Sequence, residues 1–236
     1  MNNLTVKQIV VAGVASVFTI IGNAQVNDNA YADMLKRNVN VNGNVNYANL
    51  KRSKAELTKY TNDLAENSPT KEWTREAELA YWLNVYNANV LRLILENDPV
   101  NSVEDIKGMF TDKHITVGEK SYSLDDVEKT LLKLGGAKML FGMCKGTYSS
   151  PKLSAIPFTE ANIDGRIEAL AANFINDRSK NQVASSSIKL NEIFKTYAKY
   201  FKKEGDLIEF LNQYAMRDLM EDAKISYMKY DWKLNK

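Results

Sequence analysis

Between Thr74 and Glu96 runs a stretch that a fold can place almost nowhere but at its centre. Leu79, Trp82, Leu83, Tyr86, Val90, Leu93 and Ile94 recur at three- and four-residue spacing and share one helix face. Ala80, Ala88, Leu91 and Leu95 fill much of the remaining circumference. A helix apolar on most sides must be enclosed by its neighbours, so the rest of the chain has to wrap around this one. Asn97-Asp98-Pro99 ends it, because a proline ring disfavours helical geometry in the residue before it. Two amides interrupt the apolar surface: Asn84 and Asn87, in Trp82-Leu-Asn-Val-Tyr-Asn-Ala88. A buried amide left unpaired costs about 1–3 kcal/mol, and asparagine is a mediocre helix former. These side chains therefore clamp irregular backbone, line a site beside Tyr86, or do both.

The flanking segments are shorter. Asn27 to Leu35 predicts a first helix, and Val39 to Asn46 alternates Val with Asn around Gly43 as a short hairpin or polar loop. Tyr47 to Glu66 is helical in pattern. Ile115-Thr-Val, a Gly118-Glu-Lys turn and Ser121-Tyr122 predict a hairpin. Ser123 with Asp126 then reads as a capping box opening a helix that Gly135-Gly136 stops. Met139 to Met143 is read as a buried strand leading into an irregular loop from Lys145 to Pro157. Helices are expected from Thr159 to Asn176, Asn191 to Phe201 and Asp206 to about Asp218, with strands at Ser186–Leu190 and near Ile225. Helices dominate and strands are few. The expected class is α+β: a helix-rich single domain, residues 25–236, with a central buried helix and a small, mainly antiparallel sheet.

Residues 1–24 are read apart from this fold. One charge, Lys7, precedes an apolar run from Ile9 to Ile21, which ends at Gly22-Asn23-Ala24. That is the pattern of a cleavable signal peptide. The run of roughly a dozen residues falls short of the ~20 that cross a bilayer as a helix. An uncleaved anchor and a buried core helix are the rival readings. Export to the periplasm or beyond is the expectation, with no transmembrane helix after the leader is removed.

A net charge of +2, from 31 basic and 29 acidic residues, gives no electrostatic reason to expect nucleic acid as a partner. The single cysteine, Cys144, excludes an internal disulfide, and with one histidine, His114, a structural zinc site of Cys/His type is not expected. No cofactor motif is present: there is no P-loop, no GxGxxG after a strand, no HExxH and no GxSxG. Candidates for catalysis are therefore Cys144, Ser150 and Glu128, with His114, Lys129 or Lys145 as the available bases. Each has a plainer reading. Cys144 reads as an inert buried thiol, Ser149-Ser150-Pro151 as a turn, and Asp125, Asp126 and Glu128 as charges suited to a helix N-terminus.

The order of these motifs resembles a bacterial and plant family, domain of unknown function 547. The resemblance rests on Ala80-Tyr-Trp-Leu-Asn-Val-Tyr-Asn-Ala88, then Tyr122-Ser-Leu-Asp-Asp-Val-Glu128, Ser150-Pro151-Lys-Leu153 and the terminal Tyr230-Asp-Trp-Lys-Leu-Asn235. It implies a fold and the geography of a site more than an activity. Typical members carry His where this chain has Lys129, and His-Phe where it has Leu140-Phe141. They carry Cys at the positions of Lys145 and Ser150. If the family site is a thiol–imidazole one, this chain has lost its imidazoles and at least one thiol, while Asn84, Asn87 and Glu128 remain. The resemblance thus points to a non-catalytic binding module using a degenerate cleft, site-lined by Asn84, Tyr86, Asn87, Lys129 and Ser149. Its partner would be a small molecule, a peptide or an envelope protein. The alternative is a cysteine- or serine-dependent hydrolase or transferase.

Overall fold

A computed structural model describes residues 26–236; the leader read from residues 1–24 lies outside them. The order of elements is α1 (Asn29–Asn38), α2 (Tyr47–Leu50), α3 (Lys54–Glu66), α4 (Arg75–Glu96), strands β1 (Ile115–Val117) and β2 (Lys120–Tyr122), then α5 (Leu124–Gly135). There follow α6 (Ile163–Asn176), β3 (Gln182–Val183), β4 (Ser187–Leu190), α7 (Ile193–Thr196), α8 (Ala198–Phe201), α9 (Leu207–Asn212) and β5 (Lys224–Tyr227). The protein is a helix-rich α+β fold. Among the described residues no helix is long and apolar enough to cross a membrane.

Helix α4 is the axis of the fold. Thr74 caps it by accepting the Ala77 N–H at 3.1 Å, and almost every residue from Leu79 to Leu95 is buried. Helices α3 and α5 flank it, and α6 packs behind. Tyr81 ties α4 to the end of α3 by donating its hydroxyl to the Leu64 carbonyl at 2.6 Å. The β1–β2 hairpin is antiparallel, Ile115 opposite Tyr122. It turns at Gly118, whose φ of 57° is unfavourable for residues with a Cβ. Ser123 and Asp126 then exchange the two bonds of a capping box, each at 3.1 Å, and start α5.

A second sheet holds β3–β4–β5, antiparallel in its first pair and parallel in its second. Ile188 and Leu190 of β4 share the core with a cluster of phenylalanines in which Phe141, Phe174, Phe194, Phe201 and Phe210 touch ring to ring. These rings and α4 belong to one continuous hydrophobic core.

Four local expectations are corrected. Met139 to Met143 is not a strand: Ala137–Gly142 is a 3₁₀ helix, entered through Gly136 at φ 73°. A short apolar run does not distinguish a buried strand from a tight helix by its period. The helix expected from Asn191 to Phe201 breaks at Tyr197, whose backbone leaves the helical region at φ −104°, ψ 20°. The helix from Asp206 stops at Asn212, because the Asn212 side chain binds the Leu219 N–H at 2.8 Å and folds the chain back. Helix α6 begins at Ile163 rather than Thr159, after a turn in which Asn162 accepts the Thr159 N–H at 3.0 Å.

Candidate functional site

The two asparagines of α4 hold the loops that build the site. Asn84 donates to the Phe158 carbonyl at 2.7 Å and accepts the Phe158 N–H at 2.9 Å. Asn87 donates to the Gly142 carbonyl at 2.9 Å and accepts the Cys144 N–H at 2.9 Å. Each amide thus satisfies a backbone donor and a backbone acceptor that irregular chain leaves open. Gly146, at φ 74°, lets the loop run close against α4: a Cβ there would lie 3.2 Å from Val90 Cγ1. The chain's last residues strap the same loop from outside through the bridge Thr147–Leu234, and Lys233 bridges to Ser102 in the segment after α4. Asn235 accepts the Tyr47 hydroxyl at 2.7 Å.

This scaffold seals the candidate nucleophiles. Cys144 is 2% exposed, with its sulfur 3.5 Å from Ser150 Oγ and 3.5 Å from Asn235 Nδ2. Burial pushes its thiol above the ordinary range. Ser150 donates to the Thr147 carbonyl at 2.8 Å. Ser149 Oγ accepts the Asp231 N–H at 2.8 Å and so holds the tail. Among the described residues no acid–base side chain bonds to Cys144 or to Ser150. His114 and Lys129 are exposed, and the structure brings neither to the loop. Cys144 in the folded protein is therefore expected to resist alkylation at pH 8 and to react at the rate of a free thiol once the chain is unfolded. Rapid labelling of the native protein would mean that the strap opens.

Beside the sealed loop lies a cavity of about 210 Å3 whose wall includes Leu140, Met143, Pro151, Ile193, Tyr197 and Trp232. Its charged side chains are Glu128, Lys145 and Glu192. Glu128 comes from α5, Lys145 from the clamped loop and Glu192 from the entry to α7. The Lys145 ammonium lies 2.9 Å from Glu128 Oε2 and 2.9 Å from the Tyr197 hydroxyl. Tyr197 in turn donates to Glu128 Oε1 at 2.6 Å, closing a three-membered ring of bonds. Burial, together with the Glu128 carboxylate, holds the Tyr197 phenol well above its usual range, so it remains a donor at any ordinary pH. Tyr230, also lining the cavity, has its hydroxyl 2.8 Å from Thr147 Oγ1 and its ring centroid 4.5 Å from that of Trp232.

Of the residues read from sequence as catalytic or site-lining, Glu128 faces this cavity. Asn87, Cys144, Ser149 and Ser150 hold the loop that carries Met143, Lys145 and Pro151 of the wall, whereas Asn84 and its partner Phe158 line a separate pocket. The Tyr86 hydroxyl is buried without a partner among the described residues, and burial, with the Glu128 carboxylate nearby, holds its phenol well above its usual range. Tyr197, Glu192 and Thr196 carried no local signal. Trp232 and Tyr230 did, since both stand in the terminal motif.

The decisive comparison concerns the middle of the chain. Residues 70–175 match the model of a family described as protein of unknown function, DUF547. Residues 70–175 belong to that family. No curated protein and no solved structure matches the chain. The DUF547 segment contributes α4, α5 and the clamped loop, and with them Glu128, Leu140, Met143, Lys145 and Pro151 of the cavity. The opposite wall, from Glu192 to Trp232, lies beyond it. Leu140 and Lys145 line the cavity together with Glu128.

Proposed function

We propose that this chain is an exported binding module that holds a small amphipathic molecule in the cavity between its DUF547 segment and its C-terminal wall. The observation that carries the reading is the closed Glu128–Lys145–Tyr197 ring set in an apolar and aromatic enclosure. Ligand sites are commonly concave and apolar, with a few placed polar groups. A hydrolase would need a nucleophile against a base. Cys144 and Ser150 instead bond to each other and to backbone, and Lys145 is engaged by Glu128 and Tyr197. The apolar run from Ile9 to Ile21 and the Gly22-Asn23-Ala24 that ends it support export.

Phenylnaphthylamine, a neutral dye that brightens in apolar surroundings, tests the reading. Saturable one-site binding is expected, lost in Thr196→Trp, where a large ring is added at the exposed rim of the cavity. Binding should persist in Cys144→Ala. Equal binding by Thr196→Trp, or no binding by the wild type, sinks the proposal.

A further inference from the structure

We infer that the cavity selects a small organic cation, an amine or quaternary ammonium carrying an apolar body. The inference rests on the preceding reading and adds the charge of the ligand. Two carboxylates and one ammonium line the cavity. The ammonium is already matched: Lys145 sits 2.9 Å from Glu128, and that pair contributes no net charge. Glu192 is left over. It is half-buried, accepts the Tyr230 N–H at 3.1 Å, and has no cationic partner among the described residues.

Half-burying an uncompensated carboxylate costs free energy that a bound cation recovers. The surroundings suit the same sign. Tyr230 and Trp232 pack against each other beside Glu192, with Tyr197 on the same cavity wall. The negative faces of aromatic rings attract ammonium groups. Lys145 already uses this attraction, lying 5.6 Å from the Tyr197 ring centroid and 5.3 Å from that of Phe110. An anionic ligand would instead meet Glu192 unscreened and compete with Glu128 for Lys145. The remaining wall of Leu140, Met143, Pro151 and Ile193 calls for an apolar body on the cation.

The test uses three probes of one shape against the full mature chain: phenylpropylamine, phenylpropanol and phenylpropionate, read by displacement of phenylnaphthylamine and by calorimetry. The amine is expected to bind at least about tenfold more tightly than the alcohol, with the propionate weakest. Glu192→Gln keeps an acceptor for the Tyr230 N–H and should erase the amine's advantage over the alcohol. Equal displacement by all three probes overturns the cation selectivity and leaves the binding reading standing. Tightest binding by the propionate also overturns it. If none of the probes displaces the dye and Thr196→Trp binds the dye like wild type, both readings fall together.

Discussion

Asn87→Ala is expected to lower the stability of the fold by about 2–4 kcal/mol in a urea titration, among the largest effects available from any polar side chain here. The amide serves two backbone groups at once, the Gly142 carbonyl and the Cys144 N–H. Gly142 ends the 3₁₀ helix and Cys144 lies two residues beyond it, so neither group has a ladder to join. Alanine would leave a donor and an acceptor unpaired in a region where water has no access, since Asn87 is 3% exposed. Asn87→Asp should be no cure, because it keeps the acceptor, loses the donor and adds a buried charge. Because Lys145 follows the clamped residue, Asn87→Ala should also weaken dye binding. A loss of only a few tenths of a kcal/mol would mean that the loop finds other partners, and the clamp would not be what shapes it.

Lys145→Met should be as damaging, for a different reason. It removes the cation from Glu128, whose side chain is 12% exposed, and leaves Tyr197 as that carboxylate's one strong partner. Breaking such a pair from one side typically costs about 3–5 kcal/mol when burial is complete. With both side chains slightly open to water, about 2–4 kcal/mol is expected near neutral pH. The second half of the prediction is more discriminating. Adding Glu128→Gln to Lys145→Met removes the stranded charge and should restore at least half of the loss, giving a coupling of about 2 kcal/mol in a double-mutant cycle. Additive losses would show that the two side chains act independently and that their proximity carries no energy.

What could be read from sequence follows the range of the interactions involved. The burial of α4 was written in its own composition. That Asn84 and Asn87 must be paired followed from the cost of burying an amide with nothing to bond. Whether they clamp backbone or line a site was left open by the sequence, and both clamp backbone. The Ser123–Asp126 box and the Gly118 turn depend on neighbours a few residues away and were legible for that reason. The 3₁₀ helix at Ala137–Gly142 was not, because five apolar residues carry too little period to separate two buried conformations. The cavity was legible only in part. Glu128 and Tyr197 are 69 residues apart in sequence, and nothing in the short segment around Tyr197 announces a partner on α5. Glu192 looks like any acidic residue at a helix entry until Tyr230 and Trp232 are folded against it.

The cavity's two walls also differ in when they come into being. A ribosome makes α4, α5 and the clamped loop first, and α7 and the Tyr230–Trp232 wall last. Until Asn235 has emerged to reach Tyr47, the loop has no strap and the aromatic wall has nothing to close against. A chain still being synthesised would carry the parts of the pocket without the pocket. On the binding reading proposed above, capture of a ligand waits until Tyr230, Trp232 and Asn235 are in place.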